Sequence, residues 1–242
     1  MSYEVFGVEG LPEIGEGADL AELIAAEVEL RERDVVVVAH KIVSKAEGRV
    51  VSLAAVEPSE RAHELAGDVG DPRKLEVILR EAERIVRSRP PLVIAETRHG
   101  FVCASAGVDA SNAPAADQVV LLPLDPDASA ARLRAGLETR AGCTLGVIVS
   151  DTFGRAWRRG IANVAVGAAG IEVLRDHRGV TDPAGYELHA TVIAVADEIA
   201  AAAELAMGKT GRVPVAIVRG LDVAGDGNAR ELVLPAEHDL FR

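Results

Sequence analysis

Val147-Ile148-Val149-Ser150-Asp151-Thr152-Phe153-Gly154-Arg155 is the stretch around which this chain is organised. Three β-branched residues run directly into Ser-Asp-Thr, which reads as a buried strand that ends in a carboxylate. A stiff strand holds such a carboxylate at a fixed place on the sheet edge, where it suits a divalent cation. Arg155, Arg158 and Arg159 follow and supply charge that suits phosphate or carboxylate. The plainer alternative is a strand followed by a polar loop, with Asp151 capping the next turn.

A second strand of the same kind lies upstream. Asp34 precedes Val35-Val36-Val37-Val38, an unbroken apolar run that reads as fully buried. It leads into His40-Lys41-Ile42-Val43-Ser44-Lys45, where Lys41 and Lys45 stand four apart and share a face on a helical turn. The chain has only Lys41, Lys45, Lys74 and Lys209 as lysines, so two of four lie together here. Phosphate binding explains the pair, and so does a solvated charged turn. A third stretch, Ala106-Gly107-Val108-Asp109-Ala110-Ser111-Asn112, again sets an aspartate after small apolar residues. If Asp109 and Asp151 meet, they form an oxygen site of the kind Mg²⁺ or Mn²⁺ prefers, and Asn112 is placed to hydrogen-bond a nucleotide or phosphate.

The remaining segments frame these three. Gly7-Val8-Glu9-Gly10-Leu11-Pro12-Glu13-Ile14 is a shaped loop, either a ligand-approach loop or a simple N-terminal turn. Helices are predicted over 19–30, 60–66, 72–88, 131–139 and 187–207, the last with an apolar face of Val192, Val195, Ile199 and Leu205. Strands are predicted over 92–95, 101–104, 119–122 and 213–218. The turn Glu96-Thr97-Arg98-His99-Gly100 is a hairpin tip that also gathers an acid, an arginine and a histidine, so it is a candidate substrate-facing loop. Residues 161–170 are Ala, Gly and Val-rich and predict close packing against something, a second subunit being one candidate. Gly208-Lys209-Thr210 imitates the end of a phosphate loop, but Ala203 stands where that motif needs glycine and the tripeptide follows a helix instead of opening one. A nucleotide-contacting loop of another type is the reading that survives.

Composition narrows the function classes. Aromatics are 3% and the net charge is -12, which argues against nucleic-acid and anionic-membrane binding. Cys103 and Cys143 are isolated and make no zinc motif. The start has no basic-then-apolar signal pattern and no stretch is apolar enough to span a membrane, so a cytoplasmic protein is expected.

Five stretches taken in order, namely 7–12, 41–49, 96–102, 107–112 and 150–155, closely resemble the coenzyme F-420-0:L-glutamate ligases. The resemblance runs nearly end to end, as one ligase domain over residues 1–242 without the flavin-related domain that some relatives add. It implies an α+β fold of mixed sheets with flanking helices, a two-lobed subunit and an intertwined homodimer. It implies a GTP-dependent amide ligase that adds L-glutamate to coenzyme F-420-0 through an acyl phosphate. It further implies two divalent cations, Mg²⁺ or Mn²⁺, with K⁺ as an added candidate. Carried over by position, Asp109, Asp151 and Thr152 are the implied metal ligands. Leu11, Pro12, Glu13, Ile14, His40, Lys41, Lys45, Asn112, Met207, Gly208 and Lys209 are the implied nucleotide contacts. Lys45, Asp151 and Arg155 are the candidate catalytic residues, and Arg155, Arg158 or Arg98 the candidate clamp for substrate carboxylates. Two positions depart from the pattern: Lys209 stands where some relatives carry an oxygen-bearing side chain, and His40 where a small hydroxyl residue is expected. The rival readings are a metal-dependent phosphotransferase or phosphatase and a non-catalytic nucleotide or deazaflavin binder.

Overall fold

The computed structural model describes residues 2–240. Its frame is a five-stranded mixed sheet in the order β1 (Glu4–Gly7), β12 (Val215–Arg219), β2 (Val35–Ala39), β8 (Gly146–Arg155) and β9 (Arg158–Ala169). Only β2 and β8 pair in parallel, and the other neighbours are antiparallel. The valine run explains itself here. Val36 and Val38 enter one core with Val147, Val149 and Ile217, while Val35 and Val37 enter another with Ile148, Ala216 and Val218. Successive side chains of a strand point to opposite faces, so a strand covered on both sides must be apolar at every position. Helices α1 (Leu20–Glu27) and α5 (Pro126–Ala141) cover the first face, and α6 (Val195–Met207) covers the second.

Between β2 and β8 the chain runs through α2 (His40–Ala46), β3 (Val50–Ser52), α3 (Glu60–Ala66), α4 (Pro72–Glu81), β4 (Ala82–Arg89), β5 (Leu92–Thr97), β6 (Val102–Ala104) and β7 (Gln118–Val120). This segment adds a three-stranded sheet, β4-β5-β6, and a two-stranded pair, β3-β7, around a third apolar cluster that includes Leu65, Ile78, Val93 and Val119. A short pair, β10 (Arg175–Asp176) with β11 (Val192–Ile193), follows β9. The mixed α+β class expected from the sequence is the one observed.

Several helix starts follow their sequence signals. Asp19, Ser59, Asp71 and Asp125 each cap a helix by accepting a backbone N–H, and Pro72 and Pro126 stand in the first turn. Three expectations are corrected. The helix expected over 72–88 stops at Glu81, and 82–89 is β4, hydrogen-bonded to β5 from Ala82↔Thr97 to Arg89↔Leu92. β-branched Ile85 and Val86 and the tight Pro90-Pro91 turn make the hairpin partner stronger than the helical periodicity. The helix expected over 187–207 begins only at Val195. Its first part instead pairs with 175–181, as in His177 N–H to Thr191 O (2.9 Å) and Leu188 N–H to Val180 O (2.9 Å), and Leu205 is exposed. The strand expected to end at Asp151 continues to Arg155 and returns as β9. Ala/Gly-rich β9 does pack closely: a Cβ on Gly167 would collide with the carbonyl oxygen of Pro126, at the start of α5.

Candidate active site

One cavity of about 660 Å³ opens where β2, β8, β9 and the end of α6 meet. The loop Leu11-Pro12-Glu13-Ile14 forms one wall, and α2 presents His40, Lys41 and Lys45. Asp109 and Asn112 come from the segment after β6, Asp151 and Thr152 from β8, and Met207, Gly208 and Lys209 from the end of α6 and the loop beyond it. Every residue that the sequence singled out for nucleotide or metal therefore lines a single cavity. Arg155 is the exception. It sits exposed at the far end of β8, with Arg158 and Arg159 exposed after the turn, and none of the three lines the cavity. The cause is the strand continuing past Asp151, which carries these arginines out along the hairpin.

The Glu96–Gly100 turn is also displaced from its expected role. Arg98 pairs with Glu81 (3.1 Å), Glu96 with Arg84 (2.7 Å), and the His99 ring contacts the carbonyls of Pro123 and Leu124 (3.1 Å each). Burial, with Arg98 nearby, holds His99 below its ordinary value. These residues brace the fold and do not line the cavity.

The cavity's charges are paired across it. Lys41 Nζ lies 2.6 Å from Asp109 Oδ2 and donates to Ser111 Oγ at 2.5 Å. Lys45, 6% exposed, reaches Glu13 Oε1 at 2.5 Å. Lys209 pairs with Glu204 (3.0 Å) and donates to Thr152 Oγ1. Thr152 in turn donates to Asn163 Oδ1 at 2.7 Å, and Asn163 donates to Ser150 Oγ at 3.3 Å, so the strand pair fixes the threonine's rotamer. Three of the chain's four lysines thus converge here from two distant segments.

Burial pushes both aspartates up, yet both are held below the ordinary carboxylate range. For Asp109 the cause is the Lys41 ammonium with the Ser111 N–H and hydroxyl. For Asp151 it is the His40 imidazole, the Thr152 N–H and the Lys41 charge. Asp109 binds its own turn, with Oδ1 accepting Ser111 N–H at 2.7 Å, and Asn112 comes next at φ 57°. Among the described residues no group of three or more His, Cys, Asp and Glu stands ready to enclose a metal ion. Two carboxylates and a threonine hydroxyl are an oxygen set that fits a hard cation shared with phosphate oxygens and water, and does not fit a fully protein-held one.

The resemblance also implies that the loop from Met207 to Pro214 closes on the nucleotide, and that loop, Arg212 included, lines the cavity, whereas sequence reasoning missed Asn163 and Glu204, which line it too. Asn163 was hidden because its role depends on the register Thr152↔Asn163. Glu204 shows only as one helix position among others.

The model of the family described as F420-0:Gamma-glutamyl ligase matches residues 10–220. The chain is 50% identical over 233 residues to the coenzyme F420:L-glutamate ligase of Methanopyrus kandleri, covering 93% of this chain and 92% of that one. It is 45% identical to the ligase of the same name from Archaeoglobus fulgidus, with 100% and 97% covered. For that of Haloarcula marismortui the identity is 44%, with 99% and 95% covered. The chain belongs to the F420-0:gamma-glutamyl ligase family. Residues Leu11 to Pro214 bound the cavity lining of this ligase, and all of them fall inside the matched 10–220.

Proposed function

We propose that this ligase joins L-glutamate to coenzyme F-420-0 at the expense of GTP, in the cavity between α2, β8 and the loop after α6. The observation that carries this reading is the convergence of Lys41, Lys45 and Lys209 with Asp109, Asp151 and Thr152 on one cavity of about 660 Å³. That volume lies within the range of small-molecule sites, and the charge pattern suits a polyphosphate with its cation.

A carboxylate is a poor acylating agent at neutral pH, so it must be activated. The substrate carboxylate attacks the γ-phosphorus of GTP, the β–γ bridging P–O bond breaks, and GDP leaves with the electron pair. The glutamate amine then adds to the acyl carbon, loses a proton and expels phosphate, leaving the amide. Lys41, Lys45 and Lys209 exchange their carboxylate partners for phosphate oxygens and stabilise the charge there. Asp109, Asp151 and Thr152 hold Mg²⁺ or Mn²⁺, which supplies neutralisation of the phosphate charge. Asn112 hydrogen-bonds the nucleotide, and Leu11 to Ile14 close over it. Arg212, an arginine of the cavity wall, takes over the carboxylate-clamp role first expected of Arg155, Arg158 or Arg98.

No described helix is long and apolar enough to cross a membrane. The reaction draws on GTP and free L-glutamate, and a cytoplasmic site of action, where both are made, is part of this proposal. Exposed Trp157 and Ile161 on the β8–β9 hairpin, at the edge of the sheet, support a homodimer. Light scattering of the purified chain tests that state. The function itself is tested by incubating the protein with F-420-0, L-glutamate, GTP and Mn²⁺ and weighing the product. Addition of glutamate that needs GTP and vanishes in Asp151→Ala supports the reading. GDP formed without glutamate addition moves the phosphotransferase ahead, and GTP bound with neither product leaves a binding protein.

A further inference from the structure

His40 is the first residue of α2 and is 2% exposed. Parallel pairing aligns Ala39 of β2 with Ser150 of β8, so His40 and Asp151, each one residue further on, come side by side. His40 Nε2 lies 3.3 Å from Asp151 Oδ1. Nε2 is nevertheless a buried atom without a hydrogen bond, a costly state, and the Asp151 carboxylate is the acceptor beside it. On the other side of the ring, Nδ1 lies 3.4 Å from the fully buried hydroxyl of Ser44, one helical turn on. With that hydroxyl donating to Nδ1, the ring proton sits on Nε2 and points at Asp151. Oδ1 also accepts the Thr152 N–H at 2.6 Å. Both contacts fall on Oδ1 of a carboxylate that lines the cavity.

We propose that His40 is a positioning residue: its Nε2–H, set by Ser44, pins Asp151 Oδ1 so that Oδ2 is presented to the cation that enters with the nucleotide. This rests on the proposed role of Asp151 as a cation ligand. Partners that orient a ligating carboxylate commonly affect metal affinity about 10- to 100-fold. Glutamine in place of His40 carries its amide N–H near the position of Nε2, whereas asparagine is too short to reach Oδ1.

The test is a Mn²⁺ titration of the whole protein with GTP present, free Mn²⁺ being read by electron paramagnetic resonance. The variants are His40→Gln, His40→Asn, Ser44→Ala and Asp151→Asn, each checked by thermal unfolding. Mn²⁺ affinity is expected to stay within about threefold of wild type in His40→Gln, and to fall about 10- to 100-fold in His40→Asn. Ser44→Ala keeps the ring and removes only a hydroxyl, and a severalfold loss is expected there. Equal losses in the glutamine and asparagine variants, or wild-type affinity in both His40→Asn and Ser44→Ala, overturn the proposal. Wild-type affinity in Asp151→Asn instead overturns the cation role of Asp151, and the positioning role falls with it. The Asp151 variant thus tells the two failures apart.

Discussion

Lys45→Met separates binding from folding at the cavity. Lys45 is 6% exposed, and its partner Glu13 is 74% exposed on the opposite wall. A pair with one partner in water contributes at most about 1 kcal/mol. Removing an ammonium from water costs several kcal/mol before compensation, and a methionine of similar length escapes that cost. The balance predicts that, without ligand, the variant is as stable as wild type or more stable by about 1 kcal/mol. For a chain of this length that is roughly 2–4 °C in Tm. With ligand the sign reverses. A charge-assisted hydrogen bond contributes about 1.5–3 kcal/mol, so the loss in GTP affinity is roughly 10- to 100-fold. Thermal unfolding without nucleotide and calorimetric titration with Mg²⁺-GTP read the two quantities on one preparation. A loss of more than about 2 kcal/mol in stability would make Lys45 a structural residue. Unchanged GTP affinity would refute its role at the phosphates.

Three further outcomes are expected. Arg219 closes on fully buried Asp34 through two bonds of 2.8 and 2.7 Å, so Arg219→Met strands a buried charge between β12 and β2. It should cost about 3 kcal/mol in urea unfolding, and the double variant with Asp34→Asn should recover most of it. Asp197, on α6, is raised by burial, against which stands one N–H from Ala165. A carboxyl raised on folding contributes stability that is present below its unfolded value and lost as pH rises through the folded one. Asp197→Asn should therefore exceed wild type in stability at pH 8, with the gap closing towards pH 3. Burial pushes the Cys103 thiol up to about 12, so in native protein at pH 8 iodoacetamide should leave Cys103 unmodified while Cys143 reacts first, as peptide mass mapping will show.

Much of the site was legible in the sequence because strand ends are local. The valine run into His40 and the Val147–Val149 run into Asp151 each announce a buried strand, and the parallel pairing of the two strands brings the residues that follow both runs side by side. The lysine pair four apart needed only the helix period to share a face. Four of the five stretches that carried the family resemblance contribute to the cavity wall, in order along the chain, and 96–102 does not. Local signals also set the capped helix starts at Asp19, Ser59, Asp71 and Asp125.

Only the tertiary structure decided the features that depend on pairing across distance. Residues 82–89 satisfy helical periodicity but become β4, because the chain turns at Pro90-Pro91 and pairs them with β5, a contact that the helical period does not register. Residues 187–194 leave the expected helix for the same reason, their backbone groups being taken by 175–181. Arg155 is carried away from the cavity because β8 does not stop at its aspartate, while Asn163 is brought in by the β8–β9 register from a segment with no motif of its own. Side-chain spacing along one strand or helix follows from fixed backbone periods, so the sequence by itself determined which residues share a face. Which faces meet is set by the free energy of burying them together, and the fold as a whole decided that.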